Sequence, residues 1–76
     1  MPETFMTYLY RTASKRPMLV GELPQALDSL EDARDFGMTS SCTDGRKPDF
    51  FDIETDDGAL KERWTWNGSE WSQTYA

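Results

Sequence analysis

A chain of 76 residues with one cysteine and no histidine holds one domain with one core, and neither an internal disulfide nor a histidine-bearing zinc site can staple it. The absence of imidazole also removes the common catalytic triads and dyads, and a formal net charge of -6 opposes nucleic-acid phosphate. Three tryptophans, three tyrosines and four phenylalanines supply the apolar payload that a small domain needs.

The charge is unevenly spread. Residues 22–37 hold Glu22, Asp28, Glu31, Asp32 and Asp35 against Arg34 alone, and residues 38–58 hold six acids against Arg46 and Lys47. No run approaches the roughly 20 apolar residues of a membrane span, and residues 1–16 lack the apolar stretch of an export signal. With a lone thiol, Cys42, the composition points to a reducing, cytoplasmic setting.

In chain order, residues 5–11 are rich in aromatic and branched types and predict a first strand, with apolar groups on both faces. Residues 12–17 read as a loop leading into Pro17, and Met18-Leu19-Val20 is compatible with a short strand ended by Gly21. A helix is predicted over 29–36. Ser29 precedes Asp32 with capping-box logic, Glu31 and Asp32 sit in the first turn, and Gly37 reads as the C-terminal stop. Leu30, Ala33 and Phe36 or Gly37 form its apolar stripe, and Pro24 allows an alternative start at 24. Residues 38–43 read as an edge strand, followed by a turn at Asp44-Gly45.

The C-terminal third reads as a three-stranded antiparallel meander over 49–55, 60–66 and 69–75. Asp57-Gly58 and Asn67-Gly68 are hairpin signals, because both pairs accept positive φ. Centring the turns on them sets Phe51 opposite Trp64, Ile53 opposite Glu62 and Thr55 opposite Leu60 in the first hairpin. In the second it sets Trp66 opposite Ser69, Trp64 opposite Trp71, Glu62 opposite Gln73 and Leu60 opposite Tyr75. One face is then aromatic, and the other carries charge-matched pairs of Asp52 with Arg63 and Glu54 with Lys61. A one-residue slip would turn the acids onto the apolar face. The predicted fold class is therefore α+β, one domain spanning 1–76, a small antiparallel sheet packed on one short helix.

The predicted core is Leu30, Ala33, Phe51, Ile53, Leu60, Trp64, Trp71 and Tyr75, with Trp66 the aromatic residue that protrudes as a contact. The five glycines are spaced as turn and cap residues, not as a phosphate loop. Asp49, Asp52, Glu54, Asp56 and Asp57 do not match a calcium loop, and Cys42, though Arg46 and Lys47 could lower its pKa, reads as an incidental thiol, so neither a metal, a cofactor nor a catalytic residue is expected. Lys61 and Arg63 lie on the face opposite the aromatic one, which disfavours a nucleic-acid platform.

These readings converge on a non-enzymatic protein-binding module, an accessory or inhibitory protein docking on a basic surface of a larger protein. Glu31, Asp32, Asp35, Asp56 and Asp57 would supply the charge and Trp66 an anchor. The alternatives are a subunit that self-associates through a sheet edge and a nucleic-acid binder using sheet aromatics, and the sequence is compatible with a monomer or a homodimer.

Overall fold

Strand-forming residues dominate both ends of the chain, and the computed structural model, which describes residues 3–13, 15–22, 26–40 and 45–75, joins them in one sheet. The elements are β1 (Phe5–Ala13), β2 (Arg16–Glu22), α1 (Leu30–Thr39), β3 (Phe50–Thr55), β4 (Leu60–Trp66) and β5 (Trp71–Tyr75). All neighbouring strands pair antiparallel in the order β2-β1-β3-β4-β5, and α1 packs across β1 and β3. The α+β class read from the sequence is the one observed. Among the described residues no helix is long and apolar enough to cross a membrane.

Both ends of α1 follow from local chemistry. The Asp32 amide donates to the Ser29 side chain at 3.1 Å, with Glu31 and Asp32 in the first turn. The helix does not extend back through Leu27, because that residue exchanges two backbone hydrogen bonds with Phe5, at 2.9 and 2.8 Å, in an isolated bridge. Residues 24 and 25 lie outside the described residues.

Gly37 is not the stop. The helix runs on to Thr39, and the Ser40 amide closes it on the Phe36 carbonyl at 3.0 Å, so residues 38 and 39 are helical and not an edge strand. Residues 41–43 are outside the described residues. Gly37 serves a different need. A Cβ there would lie 2.5, 2.6 and 2.7 Å from three consecutive ring atoms of Phe51, which places it over the ring face. Only glycine lets the helix seat this closely.

The segment predicted as a loop at 12–17 is instead the tip of a hairpin, with Ala13 paired to Arg16. Its turn carries no glycine signal, because Lys15 takes the left-handed conformation at φ 80°.

In the first meander hairpin the predicted pairs Phe51–Trp64, Ile53–Glu62 and Asp52–Arg63 are observed. Near the turn the pairing shifts. Thr55 bonds Ala59 and Gly58 takes φ 89°, giving a three-residue loop, so Glu54 faces Leu60 and Lys61 is the extra residue. Leu60 thus leaves the aromatic face, and neither Thr55–Leu60 nor Glu54–Lys61 forms.

The second hairpin is displaced by two residues. Trp66 faces Trp71 and Trp64 faces Gln73, while a bulge sets Tyr75 opposite Arg63. The turn centres on Gly68-Ser69, since Asn67 and Glu70 are bonded across it at 3.2 Å. The Asn67 side chain is consumed as an acceptor for Ser69 and Glu70 amides at 2.9 and 2.8 Å, which moves it out of the turn centre.

Leu9, Ala33, Phe51 and Ile53 form the buried core, flanked by Phe5, Leu27, Leu30, Met38, Trp64 and Trp71. Thr7 is fully buried beneath α1 and satisfies its hydroxyl by donating to the Ala33 carbonyl at 3.0 Å. Of the predicted core, Leu60 is half-buried outside this cluster, and Tyr75 is 49% exposed because the bulge turns it from the helix side.

Two substitutions test this packing. Helix propensity alone would make Gly37→Ala stabilising by about 1 kcal/mol. The clash with the buried Phe51 ring reverses the sign, and a net loss of about 1–3 kcal/mol is expected in urea unfolding. Lys15→Gly relieves a left-handed backbone at the hairpin tip and raises stability by about 0.5–1 kcal/mol in the same assay.

Candidate protein-docking surface

Because Leu27 is bonded to Phe5, and Phe5 pairs with Thr55, the start of α1 lies at the same end of the sheet as the β3–β4 turn. Thr7 then meets Ala33 and Phe51 meets Gly37, so α1 runs parallel to β1. This topology gathers exposed Glu3, Asp28, Glu31, Asp32, Asp56 and Asp57 at one end of the molecule, with Lys61 the base beside them. Four of the predicted docking residues, Glu31, Asp32, Asp56 and Asp57, are thus brought together. Asp35 is exposed one turn further along α1.

The helix contains a single base, and its hydrogen bonds are directed away from that end, with a weaker through-space attraction to Glu31. Arg34 turns inward and forks onto Glu62 of β4, with Nε to Oε1 at 2.7 Å and Nη2 to Oε2 at 2.5 Å. Glu62 is buried, and Trp64 Nε1 also donates to it at 2.8 Å. Glu62 therefore has the hydrogen-bond partners a buried carboxylate requires, though Gln73, expected opposite it, is not one of them. The bonds from Arg34, partly offset by burial, hold the Glu62 carboxyl below its ordinary value and raise the Arg34 guanidinium. A depressed carboxylate contributes stability that is present above its unfolded pKa and lost as pH falls through the folded one.

At the acidic end Asp57 accepts hydrogen bonds from the Thr55 hydroxyl and from the Ala59 amide at 3.2 Å, and these lower its pKa. Asp57 therefore keeps its charge at mildly acidic pH. Glu3, Thr4, Thr55, Asp56, Asp57, Ala59 and Lys61 line an open depression of about 600 Å³ between β1 and the β3–β4 turn. Lys61, displaced by the bulge, sits 3.7 Å from Glu3. Among the described residues no group of three or more acids or cysteines is disposed to hold a metal. Cys42 lies outside the described residues.

Trp66 is at the opposite end and does not protrude. It is half-buried, tilted against Trp71 at 5.3 Å between centroids, with Lys47 Nζ 5.3 Å from its ring. Lys47 Nζ also donates to the Met38 carbonyl at 2.8 Å, capping the end of α1. Lys15, Arg16, Arg46 and Lys47 are exposed in this half against Glu70 and the half-buried Asp49, so basic groups outnumber acids here as acids outnumber bases at the other end.

The sheet face away from α1 was not anticipated as an aromatic surface. Tyr10 stacks on Phe50 at 4.9 Å and 11°, and Arg63 lies 4.7 Å from the Phe50 ring. That arginine is engaged by Asp52, at 2.6 and 2.9 Å, as the predicted charge pair requires. Burial and the charges of Asp52 and Glu54 raise the Tyr10 pKa.

Compared with known proteins, the chain matches no family model, no curated protein and no solved structure.

Glu62→Gln keeps the shape and removes the charge. It costs about 1–3 kcal/mol at neutral pH, discounted because Arg34 is about a third exposed. The gap from wild type is expected to shrink as pH falls below about 4, measured as urea midpoints across pH. A gap independent of pH would contradict the assignment.

Proposed function

We propose that this chain is a small non-enzymatic protein-binding module of the cytoplasm that sets its acidic end against a basic surface of a larger protein. The observation that carries the reading is the convergence of Glu3, Asp28, Glu31, Asp32, Asp56 and Asp57 at one end, while Arg34 is turned inward onto Glu62. Charges arranged in this way act chiefly on orientation and association rate. The remote basic half supports the same role, because a polarised molecule approaches a basic partner with the acidic end leading. Occupation of the partner's groove would make the module inhibitory, and a peripheral position would make it accessory.

The test is affinity capture from the native host at low and moderate salt, using wild type and the combined variant Glu31→Gln, Asp32→Asn, Asp56→Asn, Asp57→Asn. A specific partner is expected at low salt, weakened by salt and lost with the variant. A partner that resists salt and is lost instead with Trp66→Ala would overturn the reading.

A further inference from the structure

An antiparallel sheet commonly packs one face on its core and lines the other with polar residues. The face turned away from α1 departs from that rule. The registers set Tyr10 opposite Phe50, Tyr8 opposite Asp52 and Met6 opposite Glu54 on it. Three bulges then bring further apolar groups to the same face. The bulge in β2 sets Leu19 opposite Tyr10, the Lys61 bulge sets Leu60 opposite Glu54, and the Thr74 bulge sets Tyr75 opposite Arg63. Leu19 and Tyr75 are each 49% exposed there. Bulges are over-represented next to active sites, where they re-aim a side chain.

One charge on this face is left over. Glu54 is half-buried between Met6 on β1 and Leu60 on β4, and the bulge removes the register that would have paired it with Lys61. Lys61 lies instead 3.7 Å from Glu3. Among the described residues Glu54 has no hydrogen bond or ion pair from its side chain. Arg63, the base across the face, is forked onto Asp52 at 2.6 and 2.9 Å. The excess is felt at Tyr10. Burial first, then the charges of Asp52 and Glu54, raise its pKa against the smaller opposing pull of Arg63. The field over the rings is therefore negative, which suits a cation set on an aromatic surface.

We infer that this face docks a partner protein through a segment carrying arginine or lysine between apolar residues. The base sits on Glu54, and its apolar neighbours cover Met6, Leu60, Tyr8, Tyr10 and Phe50. The occupant's chemistry follows from what covering the face entails. A wholly apolar cover would bury the Glu54 carboxylate without a counter-charge, which is strongly unfavourable. A base with apolar neighbours meets both needs. The carboxylate gains a partner where association excludes water, and the apolar side chains on either side lose exposed area. This face is separate from the acidic end, and the inference does not rest on the role proposed for that end.

The probe is a phage-displayed library of random dodecapeptides. The bait is the combined variant Glu31→Gln, Asp32→Asn, Asp56→Asn, Asp57→Asn, so that the acidic end does not dominate the selection. Enriched peptides are expected to carry arginine or lysine flanked by apolar residues. A synthetic copy of the most enriched one, titrated into the bait, should shift the NMR signals of the Met6 methyl and of the Tyr8, Glu54 and Leu60 amides. Adding Glu54→Gln to the bait should weaken binding about tenfold or more. The same peptide with its base replaced by glutamine should not distinguish the two baits, which separates a lost ion pair from a misfolded variant. No enrichment, enriched peptides without a base, shifts confined to other surfaces, or affinity unchanged by Glu54→Gln would each overturn the proposal.

Discussion

The contact between Gly37 and the Phe51 ring decides how everything else is arranged. Phe51 is fully buried at the centre of the sheet, between Leu9 on β1 and Trp64 on β4, with Trp71 edge-on at 4.9 Å. One ten-residue helix has to cover this centre, and it does so by presenting a position without a side chain to the ring face. That contact, with the Thr7–Ala33 hydrogen bond one turn earlier, fixes the direction of α1 along β1. The direction in turn places the acidic start of the helix beside Glu3 and the β3–β4 turn.

Two carboxylates inside the structure are each answered by an arginine on opposite faces of the sheet. Glu62 takes the Arg34 fork on the helix side, and Asp52 takes the Arg63 fork on the open side. Both arginines are therefore committed to structure. At the acidic end the fork of Arg34 is directed inward, so Lys61, 3.7 Å from Glu3, is the base set directly against the acids there. An internal requirement, satisfying a buried glutamate, thus shapes the external field through which the module is proposed to act.

Much of the sheet was legible because independent signals agreed. Around Phe51, Asp52 and Ile53 the hydrophobic alternation and the Asp52–Arg63 charge match select one register, and it is the observed one. The turns were less legible, because one dipeptide can serve two loop geometries. Asp57-Gly58 sits in a three-residue loop compensated by the Lys61 bulge, and Asn67 spends its side chain on the loop, so the turn centre moves to Gly68-Ser69. Gly37 looked like a helix stop because a glycine near a helix end has that use most often, and only the position of Phe51 reveals the other one. At the docking surface, Glu31, Asp32, Asp56 and Asp57 could be named from charge. Their grouping with Glu3 and Asp28 depends on the Phe5–Leu27 bridge, a long-range pairing with no local signature. Trp66 was misplaced by the same two-residue displacement that made Trp71 its neighbour.

The seating of α1 on Phe51 has a direct spectroscopic consequence. One Gly37 Hα occupies the direction of the missing Cβ and points onto the ring face, whereas Gly45, Gly58 and Gly68 have nothing within 4 Å of that direction. The proton chemical shifts of these four glycines, measured by NMR, compare the positions within one molecule. The account predicts a single Gly37 Hα resonance displaced far upfield by the Phe51 ring, with the other three near ordinary values. A Gly37 Hα shift indistinguishable from theirs would mean that the helix does not sit on Phe51, and the arrangement built on that contact would not stand.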